Sequence, residues 1–189
     1  HVIEDRSPDL AAHLFVRKGA EGEDLPALKI LRVDANGSDR LVLAYEDGTL
    51  DILSLDDPGS PVPLVTVAAC GPSLAPLPDR GAFVSYGNGA VCLVSAIDGE
   101  ILSTIRVEHV DDLTATSDRL VVSRGCCPRA LLVYDITNPT SPTEIAAEVS
   151  NNPDAVAIAP SGSLMAVLGY GRDGSAYRLG ILDPATLEI

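Results

Sequence analysis

Six polar residues in two short segments have the types and spacing to do chemistry: His109, Asp111 and Asp112 in EHVDD, and Asn151, Asn152 and Asp154 in NNPD. Carboxylates and carboxamides gathered from two loops are hard oxygen donors. They suit a divalent cation such as Ca²⁺, or a cationic or hydroxyl-rich ligand, and they disfavour a phosphate. His109 has two acidic neighbours, a setting that fits a base or a metal ligand. The competing reading needs no cofactor, because Asn, Asp and Gly are what tight turns require. If these residues do form a site, changing Asp111 and Asp154 together should weaken binding of Ca²⁺ or a sugar.

The cysteines are the second candidate. Cys70, Cys92, Cys126 and Cys127 lack the paired C-x-x-C spacing of a structural zinc site, so a thiolate metal centre would need Cys70, Cys126, Cys127 and His109 to converge. A disulfide is the simpler expectation in an oxidising compartment, between Cys70 and one of Cys126 or Cys127, which fall on the same loop face. Cys92, inside VCLVSA, reads as a small buried hydrophobe. No G-x-S-x-G elbow is present, and Gly169-Tyr170-Gly171 sits in a hairpin rather than opening a helix, so catalysis by a nucleophile triad finds no support.

These loops must be held by strands. Ala130 to Val149 reads as a buried strand, a Pro- and Asn-rich turn, and a second strand. Leu53 to Val65 repeats it: Pro58, Ser60, Pro61 and Leu64 match Pro139, Ser141, Pro142 and Ile145 at a constant offset of 81 residues. That is two units of about 40, the period of a β-propeller or a related array. Each unit parses into four short strands, A to D from inside to outside. The B strands align as LVLAYE, AFVSYG, LVVSRG and MAVLGYG, with starts at Leu41, Ala82, Leu120 and Leu164. Their B and C runs are apolar throughout, as expected for sheets covered on both faces. No stretch carries a 3.6-residue apolar stripe, so essentially no helix is expected.

The fold class is therefore all-β: a β-propeller with about four antiparallel four-stranded blades visible, part of a larger propeller of about seven. The expected units are residues 25–69, 70–107, 108–149 and 150–189, with 1–24 as a linker or the end of a preceding blade. The chain reads as a piece of something longer. Both ends of its arc are expected to be apolar and exposed.

VYDITNPTSP resembles the LVIVD-type repeat of bacterial propellers. Residues Pro153 to Leu168, with Ile181 to Thr186, are similar to the YVTN family and related lactonase-type propellers. WD40 is a poorer match, since the chain has no Trp and no Gly-His pair before strand A. The resemblance implies a binding face where B–C and D–A loops emerge, and it implies an exported, periplasmic or surface-associated bacterial protein. The function it implies is a non-catalytic module for a protein or carbohydrate partner, packed against the remaining blades. The alternative is a lactonase-like or metal-dependent hydrolase. For that activity Asp154 matches one metal-binding position, while the segment Gly169 to Gly171 supplies no carboxylate.

Composition excludes other classes. With 27 acidic against 13 basic residues, a net charge of −14 repels nucleic-acid phosphates and anionic lipid. No run of 18 apolar residues is present to insert into a membrane as a helix.

Overall fold

The structure, a computed structural model, describes residues 16–18, 24–57, 61–87, 89–126, 129–148, 152–159, 161–170, 177–184 and 186–187. Among these there are sixteen strands and no helix. The first sheet contains β1 (Val16–Lys18), β2 (Asp24–Ala35), β3 (Ser38–Tyr45), β4 (Thr49–Ser54) and β5 (Val62–Ala68). The second contains β6 (Ser73–Leu77), β7 (Ala82–Gly87), β8 (Ala90–Ser95) and β9 (Ile101–Arg106). β10 (Val110–Ala115), β11 (Arg119–Arg124), β12 (Ala130–Asp135) and β13 (Thr143–Glu148) make the third. β14 (Asn152–Ile158), β15 (Met165–Tyr170) and β16 (Tyr177–Leu182) make the fourth. Every sheet is an antiparallel meander in chain order, as short polar turns between apolar strands dictate. β1 hydrogen-bonds to the start of β2 as a fifth strand of the first sheet.

The sheets stack through apolar side chains on both faces. We call the face toward the preceding sheet the rear and the face toward the next sheet the front. Val42, Ala44, Leu50 and Ile52 on the front of the first sheet pack against Phe83, Cys92 and Val94 on the rear of the second. Val84, Val91 and Leu93 meet Leu120, Val122 and Leu132. Val121, Leu131 and Val133 meet Val156, Met165 and Val167.

The faces correct one sequence expectation. Aligning AFVSYG with LVLAYE sets Ala82 against Leu41. In the structure Ala82 faces forward like Val42, and Phe83 takes the rear position of Leu41. A one-residue slip moves every side chain to the other face. It could not be seen in the sequence because both faces are apolar.

Of the two outer faces of the stack, one meets the expectation of an exposed apolar surface and the other does not. The front of the fourth sheet is apolar and open, with Leu168, Leu179 and Ile181 exposed by 41%, 68% and 48%. The rear of the first sheet is not open: Leu41, Leu43, Tyr45 and Leu53 form a buried cluster, joined by Leu25, Ala27 and Leu55, with Leu43 only 1% exposed. Of that face, Ile30, opposite Leu43, stays exposed.

Candidate functional site

The loop from β9 to β10 carries Glu108 and His109 and is tied on both sides. The Val107 N–H donates to the Gly89 carbonyl at 3.1 Å, and the Gly125 N–H donates to the His109 carbonyl at 2.8 Å. The loop is thereby fixed between the B–C turns of the second and third blades. His109 holds a left-handed φ of 57° just before β10, and its side chain is exposed. Gly87, Gly89, Glu108, His109 and Val110 line a depression of about 350 Å³ there.

The carboxylates beside His109 do different work. Val110 and Asp112 flank a bulge in the β10–β11 pairing, which leaves Asp111 as the extra residue. The exposed Asp111 carboxylate lies over Gly125, in the space a Cβ there would occupy. Asp112 Oδ1 accepts from the Leu113 N–H and Oδ2 accepts from the Val156 N–H, each at 2.9 Å. The second bond crosses from the third blade to the innermost strand of the fourth, so Asp112 joins two blades.

Asp154 Oδ1 lies 3.9 Å from Arg129 Nη1, in a partly exposed ion pair worth at most about 1 kcal/mol. Asn152 pairs with Tyr170 through the backbone in β14, and its side chain, like all of Asn151, lies outside the described residues. Of the six predicted residues, then, His109 lines the depression, Asp111 covers Gly125, Asp112 is bonded to β14 and Asp154 pairs with Arg129. Among the described residues no three His, Cys, Asp or Glu side chains form a metal-ligating group. Tyr86, at the end of β7, has its phenol raised above the ordinary value by burial, and the Asp112 charge adds to this while a hydrogen bond with Ser73 opposes it.

The cysteine expectation is overturned. Cys70 is bonded to Cys92, with Cα atoms 5.5 Å apart, and not to Cys126 or Cys127. Cys126 is itself disulfide-bonded, while Cys127 lies outside the described residues. A thiolate centre built on Cys70 is therefore not formed. The reason is local. Buried Ser85 Oγ donates to the Gly71 carbonyl at 2.7 Å and accepts from the Gly71 N–H at 3.2 Å. A Cβ on Gly71 would stand 2.6 Å from the Tyr86 carbonyl oxygen, so only glycine passes this close to β7. Cys92 is the cross-strand partner of Ser85 on β8, and the pinned loop therefore delivers Cys70 to it.

Ser123 does related work at the next junction but one, donating to the Pro153 carbonyl at 2.5 Å. Sequence reasoning missed both serines. The available signal was a fully buried polar residue inside an otherwise apolar B strand, which demands a hydrogen-bond partner.

No protein-family model matches the sequence, and no curated protein matches it. Solved structures do match. The β-propeller domain of Cps50 (Swd1) from Myceliophteria thermophila superposes with a TM-score of 0.61 at 17% identity, over 83% of this chain and 52% of that one. The chain thus spans about half the length of that domain. Matches extend to 484 solved chains, a breadth that identifies an architecture and no single activity. The four antiparallel sheets described above are blades of a β-propeller.

Proposed function

We propose that this chain is a non-catalytic propeller module of an exported or surface-associated bacterial protein, and that it receives a protein partner on the face where B–C and D–A loops emerge. The observation that carries the reading is the depression between the second and third blades, where Glu108 and His109 stand exposed on a loop fixed from both sides. A rigidly held concavity with a few polar groups is the usual form of a recognition site. The Cys70–Cys92 bond supports an oxidising compartment. The bacterial origin rests on the LVIVD-type and YVTN-type resemblance alone.

The hydrolase reading is supported by that resemblance and by Asp154. Against it, Asp112 and Asp154 already engage the Val156 N–H and Arg129. A carbohydrate partner is a second outcome of the same experiment.

The test places a photo-cross-linking residue at His109 and, as a control, at Asn138 on the opposite loop face, in cells of a bacterium that exports the chain. A discrete protein adduct at 109, absent at 138 and reduced about tenfold by Glu108→Lys, supports the proposal; tenfold corresponds to about 1.4 kcal/mol. Adducts of equal yield at both positions overturn it. So would lactone hydrolysis by the purified chain that is lost in Asp154→Asn.

A further inference from the structure

The glycine turn that lines the depression rests on a second loop, residues 70–72. A Cβ on Gly87 would stand 3.2 Å from the Gly71 Cα, 3.5 Å from the Cys70 carbonyl oxygen and 3.6 Å from Pro72 Cδ. A Cβ on Gly71 would stand 2.7 Å from the Gly87 Cα and 2.9 Å from the Gly87 nitrogen. Backbone therefore packs on backbone with no side chain between, and a shift of one loop is passed directly to the other. Gly87 and Gly89 both line the depression, and the Gly89 carbonyl accepts from the Val107 N–H just before Glu108 and His109. Two restraints seat loop 70–72 against this turn. Ser85 Oγ bonds both polar groups of the Gly71 backbone, and the disulfide ties Cys70 to Cys92 on β8. The hydrogen bonds are permanent, whereas the disulfide is open to chemistry. Its two ends differ in access: Cys70 is partly exposed, and Cys92 is only 3% exposed.

We propose that the Cys70–Cys92 bond is a redox-sensitive brace for the depression: opening it lets loop 70–72 withdraw from Gly87, displaces the glycine turn and weakens binding there. The inference rests on the reading of the depression as a binding site and adds a regulation to it. The reductant is a dithiol. Its thiolate attacks the sulfur of Cys70, the more accessible residue, and a mixed disulfide forms as the bond to Cys92 breaks. Cys92 leaves as a thiolate and takes up a proton. The Thr104 hydroxyl, 3.6 Å from Cys92 Sγ, is placed to donate to the departing sulfur. The second thiol of the reductant then displaces Cys70, which is protonated in turn, and the reductant ends as its own disulfide. Two electrons have passed to the cysteine pair. Oxidation by the reverse route seats the loop again, so the site is fully assembled only in an oxidising compartment.

The experiment follows hydrogen exchange at two amides, in the oxidised chain and after treatment with dithiothreitol. The Val107 N–H reports the glycine turn, because it bonds the Gly89 carbonyl, and the Gly125 N–H reports the other tie of the same loop, because it bonds the His109 carbonyl. Reduction should accelerate exchange at Val107 at least about tenfold and leave Gly125 and the amides of β11 and β12 protected. The adduct at a photo-cross-linker in place of His109 should fall by a similar factor. Cys70→Ala with Cys92→Ala, which keeps the Cys126 disulfide, should exchange at the reduced rate with and without dithiothreitol. If dithiothreitol still accelerates Val107 in that variant, the effect belongs to Cys126 and the proposal is overturned. Unchanged exchange at Val107 in the reduced parent overturns it too, as does a Cys70–Cys92 bond that dithiothreitol cannot open in the folded chain. Equal acceleration in all four sheets would make the bond a general support and is a third refutation. Exchange needs no partner, so failure of the proposed function would show as a missing adduct in the oxidised chain, and failure of this inference as an unmoved Val107.

Discussion

The rear of the first blade and the front of the fourth are both outer faces of one stack, and they are built differently. The first carries a buried aliphatic and aromatic cluster bordered by paired polar groups: Arg32 with Asp39, and the Thr66 hydroxyl donating to Asp51 at 2.5 Å. The fourth carries aliphatic side chains alone, at Ala155, Ala157, Ala166, Leu168, Leu179 and Ile181, and three large ones stand in solvent. The first face has its apolar centre buried and Ile30 of that face left in solvent, whereas the fourth has the residue pattern of an internal junction with its aliphatic side chains exposed. Position at the end of a stack therefore does not decide how a blade face is made.

The largest effect expected from this contrast comes from one substitution made on each face. Leu43→Asp puts an unpaired carboxylate into the buried cluster of the first blade and should cost about 4 kcal/mol or more. Leu179→Asp places the same group in water and should change stability by less than about 0.5 kcal/mol. Urea denaturation of the two variants measures both. Similar losses would mean that the fourth face is covered, or that the first is open, and the contrast would disappear.

Much of the architecture could be read from the sequence, because turn residues mark every hairpin. Asn36, Gly37 and Gly99 take the left-handed backbone that their types favour, and the segments LVLAYE, AFVSYG, LVVSRG and MAVLGYG overlap β3, β7, β11 and β15. The register of the second blade was not legible, since a strand apolar on both faces contains no alternation to count. The cysteine pairing was hidden for a different reason. Connectivity is not contained in spacing, and the Ser85 to Gly71 pin that decides it joins residues 14 apart across two elements. At the candidate site the sequence identified His109 as a polar loop residue. It missed the glycine turn that completes the depression, because that turn belongs to the preceding blade.

A second, smaller effect sharpens the contrast at the junction of the first two blades. The Cys70–Cys92 bond closes a 22-residue separation, for which chain entropy gives about 3 kcal/mol. Both cysteines belong to the cluster between these blades, so the first end of the stack is covalently reinforced near its core. The double variant Cys70→Ala, Cys92→Ala should lose about that amount in chemical denaturation under non-reducing conditions. A double variant as stable as the parent would show that packing alone holds this junction.

The smallest effect is expected at the junction of the third and fourth blades, where the Asp112 carboxylate makes a crossing bond beside the one from Ser123 to the Pro153 carbonyl. Asp112 Oδ2 accepts from the Val156 N–H, and Val156 itself is buried against the third blade. Asp112→Ala should leave that amide without its acceptor at a cost of about 1 to 2 kcal/mol. Asp112→Asn keeps a carbonyl acceptor and should cost less. The loss should be local, because among the described residues the fourth blade packs on a neighbour through its rear face only. Hydrogen exchange at Val156 and along β14 should therefore accelerate by about tenfold, the equivalent of 1.4 kcal/mol, while amides of β7 and β8 in the second blade keep their protection. If exchange rises equally in all four sheets, the stack opens as one cooperative unit and its two ends do not differ in local stability. If it rises nowhere, the Val156 amide finds another acceptor and Asp112 adds nothing to the holding of these blades.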